Sequence, residues 1–195
     1  VELDRRAARA DAAQHFGLKP DRPTLLVTGG STGARRLNET IAESTPRILG
    51  AGWQVLHITG EGRGAGAAAL PGLVVRAYCD RMDLAFAVAD LAVCRAGSAT
   101  VSELAAVGLP AVLVPYAVGN GEQALNAREL VDAGAARIVR DADFTPEWVA
   151  HELIGLLERG DLIAAMSAAA RRTGRHDGAV ELLALVRDAL AERSA

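Results

Sequence analysis

Six short apolar runs recur along this chain, and all but the second, which leads into a Gly/Ala-rich loop over 61–69, give way to a stretch with helical spacing. The runs fall at 24–28, 53–59, 73–78, 91–95, 111–116 and 136–140, with helical patterns over 33–48, 81–89, 100–107 and from about 121 to 133. Apolar residues packed this closely within each run read as strands, and the wider spacing between runs reads as helix. Ala111-Val-Leu-Val114 is apolar throughout rather than alternating, which suits a strand covered on both faces. The alternation therefore predicts an α/β fold, a Rossmann-like, doubly wound parallel sheet of about six strands. Beyond Asp141 the strands stop. Thr145-Pro146-Glu147 joins a hydroxyl cap, a first-turn proline and an acid at the positive end of a helix. A C-terminal helical tail of two or three amphipathic helices is expected from there. The predicted organisation is one domain over 1–195, with a sheet core at about 23–141 and a tail at about 145–192.

Composition narrows the function. The net charge of −3 removes the basic footprint of a nucleic-acid binder. Lys19 is the single lysine among 21 Lys and Arg residues, so no second lysine exists for a P-loop, a Schiff base or a Tyr-x-x-x-Lys pair. Aromatic residues make up 4%, which leaves few stacking platforms. Cys79 and Cys94 sit in runs that read as strands, and two buried, reduced thiols are expected rather than a disulfide. The histidines show no metal spacing, so no metal site is expected. The apolar stretch 104–118 is broken by two prolines and is too short to span a bilayer. The chain opens without Met, in the helical-looking Val1-Glu-Leu-Asp-Arg-Arg, and is expected to be a piece of a longer, cytoplasmic protein.

Ligands of a doubly wound sheet bind beyond the carboxyl ends of its strands. Three polar segments fall there. The first, Gly29-Gly30-Ser31-Thr32-Gly33, opens a helix; it reads either as a tight turn or as an anion cradle at a helix N-terminus. It lacks the Gly-Lys-Ser/Thr of a Walker loop, and Ser31 breaks G-x-G-x-x-G. It follows T-G-x-x-x-G-x-G at Thr28, Gly29 and Gly33 but places Arg35 at the last glycine. Tyr78 and Tyr116 are followed four positions on by Met82 and Asn120, which excludes the dehydrogenase Tyr-x-x-x-Lys. The second segment runs Arg95-Ala-Gly97-Ser98-Ala99-Thr100-Val-Ser-Glu103. Thr100 with Glu103 fits a capping box. Equally, the helix start can face a diphosphate while Glu103 accepts the two hydroxyls of a ribose. The third, Gly119-Asn120-Gly121-Glu122-Gln123-Ala-Leu-Asn126, is a solvated loop with helix-cap residues or a set of donors and acceptors for a sugar.

Taken together, Gly29-Gly-Ser-x-Gly-Ala-Arg35-x-Leu-Asn38, Tyr78-x-Asp80-Arg-Met82, the run from Asp90 through Arg95 and Glu103 to Pro110, and Asn120-Gly-Glu-Gln123-x-x-Asn126 resemble glycosyltransferase family 28. The likeness covers roughly residues 5 to 175 and is to the C-terminal half of that family's two-domain GT-B fold. It implies an inverting transfer of N-acetylglucosamine from UDP-N-acetylglucosamine to undecaprenyl-pyrophosphoryl-muramoyl-pentapeptide in peptidoglycan synthesis, with no obligatory cofactor or metal. It further implies that Gly30 and Ser31 lie along the diphosphate, with Asn38 on the helix that follows. Cys79 would read the uracil through its backbone with Met82 nearby. Ser98, Ala99 and Thr100 would meet the phosphates, and Glu103 the ribose. Gln123 would contact the sugar with Asn126 in support; Glu122 stands where related sequences often carry Gln. The acceptor site and the general base would belong to an N-terminal domain absent from this chain, as would membrane contact on the cytoplasmic face. Two alternatives remain at this stage: the donor-binding subunit of a two-chain lipid-linked transferase, and a Rossmann-type oxidoreductase or nucleotide-binding protein.

Overall fold

The computed structural model describes residues 4–30, 34–61, 69–116 and 121–174, together with Leu183, Val186 and Arg187. The elements run α1 (Arg5–Phe16), β1 (Thr24–Thr28), α2 (Arg35–Gly50), β2 (Gln54–Ile58), β3 (Leu73–Arg76), α3 (Met82–Val88), β4 (Leu91–Cys94), α4 (Ser98–Val107) and β5 (Ala111–Leu113). They continue with α5 (Glu122–Asp132), β6 (Ala136–Ile138), α6 (Pro146–Trp148), a π-helical turn (Val149–Leu153), α7 (Ile154–Leu157) and α8 (Gly160–Thr173). The expected tail beyond residue 174 lies outside the described residues, apart from those three positions.

All six strands form one parallel sheet in the order β3-β2-β1-β4-β5-β6. Because successive side chains of a strand point to opposite faces, the apolar runs feed two cores. Leu26, Leu56, Ala92 and Leu113 pack on one face, under α1, α3, α4 and α5. Leu25, Val27, Val55, Val93 and Val112 pack on the other, under α2 and the helices that follow Phe144. Each of these leucine and valine side chains, taken fully out of water, contributes about 1.5–3 kcal/mol. α8 spans both cores, giving Ala169 and Ala170 to one and Ile163 and Met166 to the other.

Polar side chains lock the layers. The half-buried Arg5 guanidinium donates to Phe86 O and Ala89 O at the end of α3 and to Gly108 O at the end of α4, so one side chain caps two helix C-termini. Burial pushes its pKa down to about 10, which still leaves it charged at neutral pH. Arg9 pairs with Asp90 at 2.9 Å, and Asp90 also accepts from the β1 amide of Thr24. Trp53 Nε1 donates to Leu157 O and Thr40 Oγ1 to Phe144 O, which ties the helices after β6 to the sheet.

Two local expectations need correction. β3 ends at Arg76, so Cys79 lies in the connection to α3 rather than within a strand; both cysteines are free and buried. β5 ends at Leu113, short of the expected Tyr116, because Pro115 has no N–H to continue the ladder.

Candidate functional site

β1 pairs with β2 on one side and β4 on the other, so the crossovers diverge between the carboxyl ends of β1 and β4. A cleft of about 960 Å³ opens there. Its walls come from Thr28, Gly29 and Gly30, the first turn of α2, Arg95, Gly97, Thr100, Tyr116, Gln123 and Asp141. Gly30 turns the chain out of β1 with φ +84, a left-handed conformation that a side chain disfavours.

Among the described residues, two helices begin at this cleft without side-chain caps. The N-cap of α2 is Ala34 and that of α4 is Gly97, and neither receives a capping hydrogen bond. The first intrahelical bonds run from Asn38 N to Ala34 O and from Val101 N to Gly97 O. The amides of 35–37 and 98–100 thus precede the helical ladder and carry the positive end of each dipole. Side-chain caps stand at α1 and α6, from Asp4 and Thr145, whereas α3, α5 and α8 also begin without one. The Thr100–Glu103 capping box is not formed: α4 starts at Ser98, so Thr100 sits inside the first turn and Glu103 stands exposed one turn on.

The other candidate residues are placed as follows. Ser31, with Thr32 and Gly33, and Gly119 and Asn120 lie outside the described residues. Ser98 and Ala99 are exposed at the start of α4. Asn38 is part of the cleft wall, but its amide is committed: Nδ2 donates to Thr59 O at 2.8 Å and Oδ1 faces His57 Nε2 at 3.1 Å. Burial pushes the His57 pKa down to about 4, so the neutral ring donates Nε2–H to Asn38. Gln123 lines the cleft while its Oε1 accepts from Tyr116 N at 2.9 Å and Ala96 N at 3.3 Å. Asn126 Nδ2 donates to Ala96 O at 3.1 Å. Both side chains therefore hold the turn after β4, and with it the start of α4. Glu122 is exposed in the first turn of α5. Cys79 and Met82 lie beyond the end of β3, outside the cleft lining; burial pushes the Cys79 thiol up.

The sequence reading missed an ionic group in the cleft. Arg95 Nη1 lies 2.6 Å from Asp141 Oδ1 and donates to Val114 O at 3.0 Å and Pro115 O at 3.3 Å. Its guanidinium also sits 5.4 Å from the Tyr116 ring centre. Arg36 Nε approaches Asp141 Oδ2 at 3.3 Å. A charged residue at the end of a fully apolar strand was a usable sign of Arg95. Asp141 gave none, because it is brought in from beyond β6. Among the described residues no group of three or more His, Cys, Asp or Glu side chains could hold a metal ion, and no helix is long and apolar enough to cross a membrane.

The parallel sheet, its strand order and the anion-receptive cleft define a Rossmann-type, doubly wound domain. The sequence profile of the glycosyltransferase family 28 C-terminal domain matches residues 24–182, and the chain belongs to that family. A relative from Clavibacter sepedonicus, named UDP-N-acetylglucosamine–N-acetylmuramyl-(pentapeptide) pyrophosphoryl-undecaprenol N-acetylglucosamine transferase, is 54% identical over 194 residues, which is 98% of this chain and 52% of the relative. A Streptomyces coelicolor protein of the same name is 48% identical over 196 residues, covering 98% of this chain and 54% of its own length. Among solved structures, MurG of Acinetobacter baumannii superposes with a TM-score of 0.75 at 30% identity, over 92% of this chain and 53% of that one. The fold is thus one half of a GT-B glycosyltransferase, and the chain spans about half the length of the curated relatives it matches.

Proposed function

We propose that this chain is the donor-binding half of an inverting glycosyltransferase that moves N-acetylglucosamine from UDP-N-acetylglucosamine to a lipid-linked muramoyl-pentapeptide. The observation that carries this reading is the cleft at the strand-order reversal, where two helices without side-chain caps begin. A diphosphate suits such a pair of helix starts. The relatives' name supplies the donor and the pyrophosphoryl-undecaprenol acceptor.

In this reading Gly30 and Ser31 follow the diphosphate, and the amides of Ser98, Ala99 and Thr100 meet its phosphates. Glu103 accepts both ribose hydroxyls, and Cys79 presents its backbone to the uracil beside Met82. Gln123, Asn126 and Glu122 border the sugar. As the anomeric C–O bond breaks, its electron pair goes to the departing UDP oxygen, where fixed helix ends stabilise the growing charge with no obligatory metal. The acceptor oxygen bonds to the opposite face of the anomeric carbon. The acceptor site and the base that takes the acceptor's proton belong to the half beyond this chain, as does contact with the cytoplasmic face of the membrane. This chain therefore binds donor and does not turn it over alone.

Calorimetry and thermal melting test the reading. UDP and UDP-N-acetylglucosamine are expected to bind and to raise the melting temperature, and NAD to do neither. A chain that bound NAD and ignored UDP would be a dinucleotide-binding protein instead.

A further inference from the structure

Arg36 stands in the first turn of α2, a turn with no acidic residue and no side-chain cap. A cation at that end opposes the helix dipole. Asp141 offsets it from across the cleft, its carboxylate 3.3 Å from Arg36 Nε. The same carboxylate lies 2.6 Å from Arg95, and the two arginines differ sharply in how they are held. The Arg95 side chain is 11% exposed and is pinned by the carbonyls of Val114 and Pro115 as well as by Asp141. The Arg36 side chain is 54% exposed, and its contact with Asp141 is the one polar interaction it makes among the described residues.

Removing Arg95 from Asp141 would leave a carboxylate that is only 15% exposed with the exposed Arg36 as its remaining cation, and would leave the poorly exposed Arg95 without its counter-charge, which is unfavourable. Removing Arg36 leaves Asp141 still paired, and an exposed ion pair is worth little. The arrangement thus has one fixed and one releasable cation on a shared anion, at the rim of a cleft suited to phosphate. A diphosphate carries more charge than a carboxylate and accepts a guanidinium in bidentate geometry.

We propose that Arg36 is a specificity-determining residue that exchanges partners: when the donor binds, its guanidinium leaves Asp141 for the diphosphate, while Asp141 stays on Arg95. The inference rests on the donor reading above. Asp141 is then an internal stand-in for the ligand's charge. It keeps the arginine-bearing start of α2 neutralised before the donor binds and sets a threshold that only a strong anion exceeds.

Calorimetry with UDP on this chain, R36Q, D141N and the double variant tests it, with melting temperatures as the check on folding. R36Q is expected to weaken UDP binding about 5- to 30-fold, the value of a charge-assisted hydrogen bond at a partly exposed site. D141N is expected to tighten UDP binding roughly 2- to 5-fold, since the competitor for Arg36 has lost its charge. In the R36Q background D141N should change little, because the tightening acts through Arg36. An R36Q affinity within about twofold of the parent overturns the exchange. So does a D141N effect of equal size in both backgrounds, which would be direct repulsion between Asp141 and the diphosphate. A parent chain that does not bind UDP removes the donor reading and this inference together, whereas failure of the variants alone removes only the exchange.

Discussion

Asn38 is part of the cleft wall and Glu103 is the proposed ribose acceptor one turn into α4, yet they occupy opposite positions in the balance between folding and binding. Glu103 is exposed and pairs with no described residue, so the fold makes no use of its charge. Glu103→Ala is expected to change stability by no more than about 0.5 kcal/mol. The same change should cost about 1.5–3 kcal/mol of UDP affinity, roughly 10- to 150-fold, through lost charge-assisted hydrogen bonds. Titration calorimetry measures this directly, and parent-like affinity would remove the ribose assignment. Asn38 has spent both ends of its amide on Thr59 and His57 inside the protein. Those bonds tie the first turn of α2 to the end of β2.

At the scale of elements, α4 carries the proposed phosphate and ribose contacts at one end and its anchorage at the other. Gly108 closes it in the left-handed conformation, with φ +63, and its carbonyl accepts from Arg5 and Ser167. A β-carbon at Gly108 would fall 2.3 Å from Arg171 Cγ. Gly108→Ala is expected to destabilise the chain by about 1–3 kcal/mol, from the backbone conformation and the crowding together, as read by urea unfolding. Adding Arg171→Ala should recover only part of that, since the positive φ remains. The strands were legible because a buried strand is written locally, as in Ala111-Val-Leu-Val114. The start of α4 was harder: Thr100 and Glu103 have capping-box spacing, but Gly97 releases the chain earlier and the helix begins at Ser98. The three polar segments were legible as a group, because topology alone puts the ends of β1, β4 and β5 at one sheet edge. Arg95 with Asp141, and Arg5 with three distant carbonyls, were not legible, because those pairings depend on packing between segments far apart in sequence.

For the molecule as a whole, acid should loosen the fold through His57. Its ring is buried in β2 and burial lowers its pKa from 6.5 to about 4. Below pH 6.5 the unfolded chain takes up a proton that the folded chain refuses until about pH 4. Stability is therefore full above pH 6.5 and falls as the pH drops through that window, by roughly 3 kcal/mol in all. Urea unfolding at pH 7 and pH 5 should show the decline, and His57→Gln, which cannot titrate, should flatten it. The sheet order has a further consequence, in time rather than in energy. β1 is flanked by β2 and by β4, and Leu26 meets Leu56 on one side and Ala92 on the other. During synthesis the apolar strand Thr24–Thr28 must wait, with one hydrogen-bonding edge bare, until Leu91–Cys94 has left the ribosome. The β1–β4 junction thus closes well after β1 itself is made, although before β5 and β6 are added, and that interval is when a nascent chain of this kind is most open to pairing with the wrong strand.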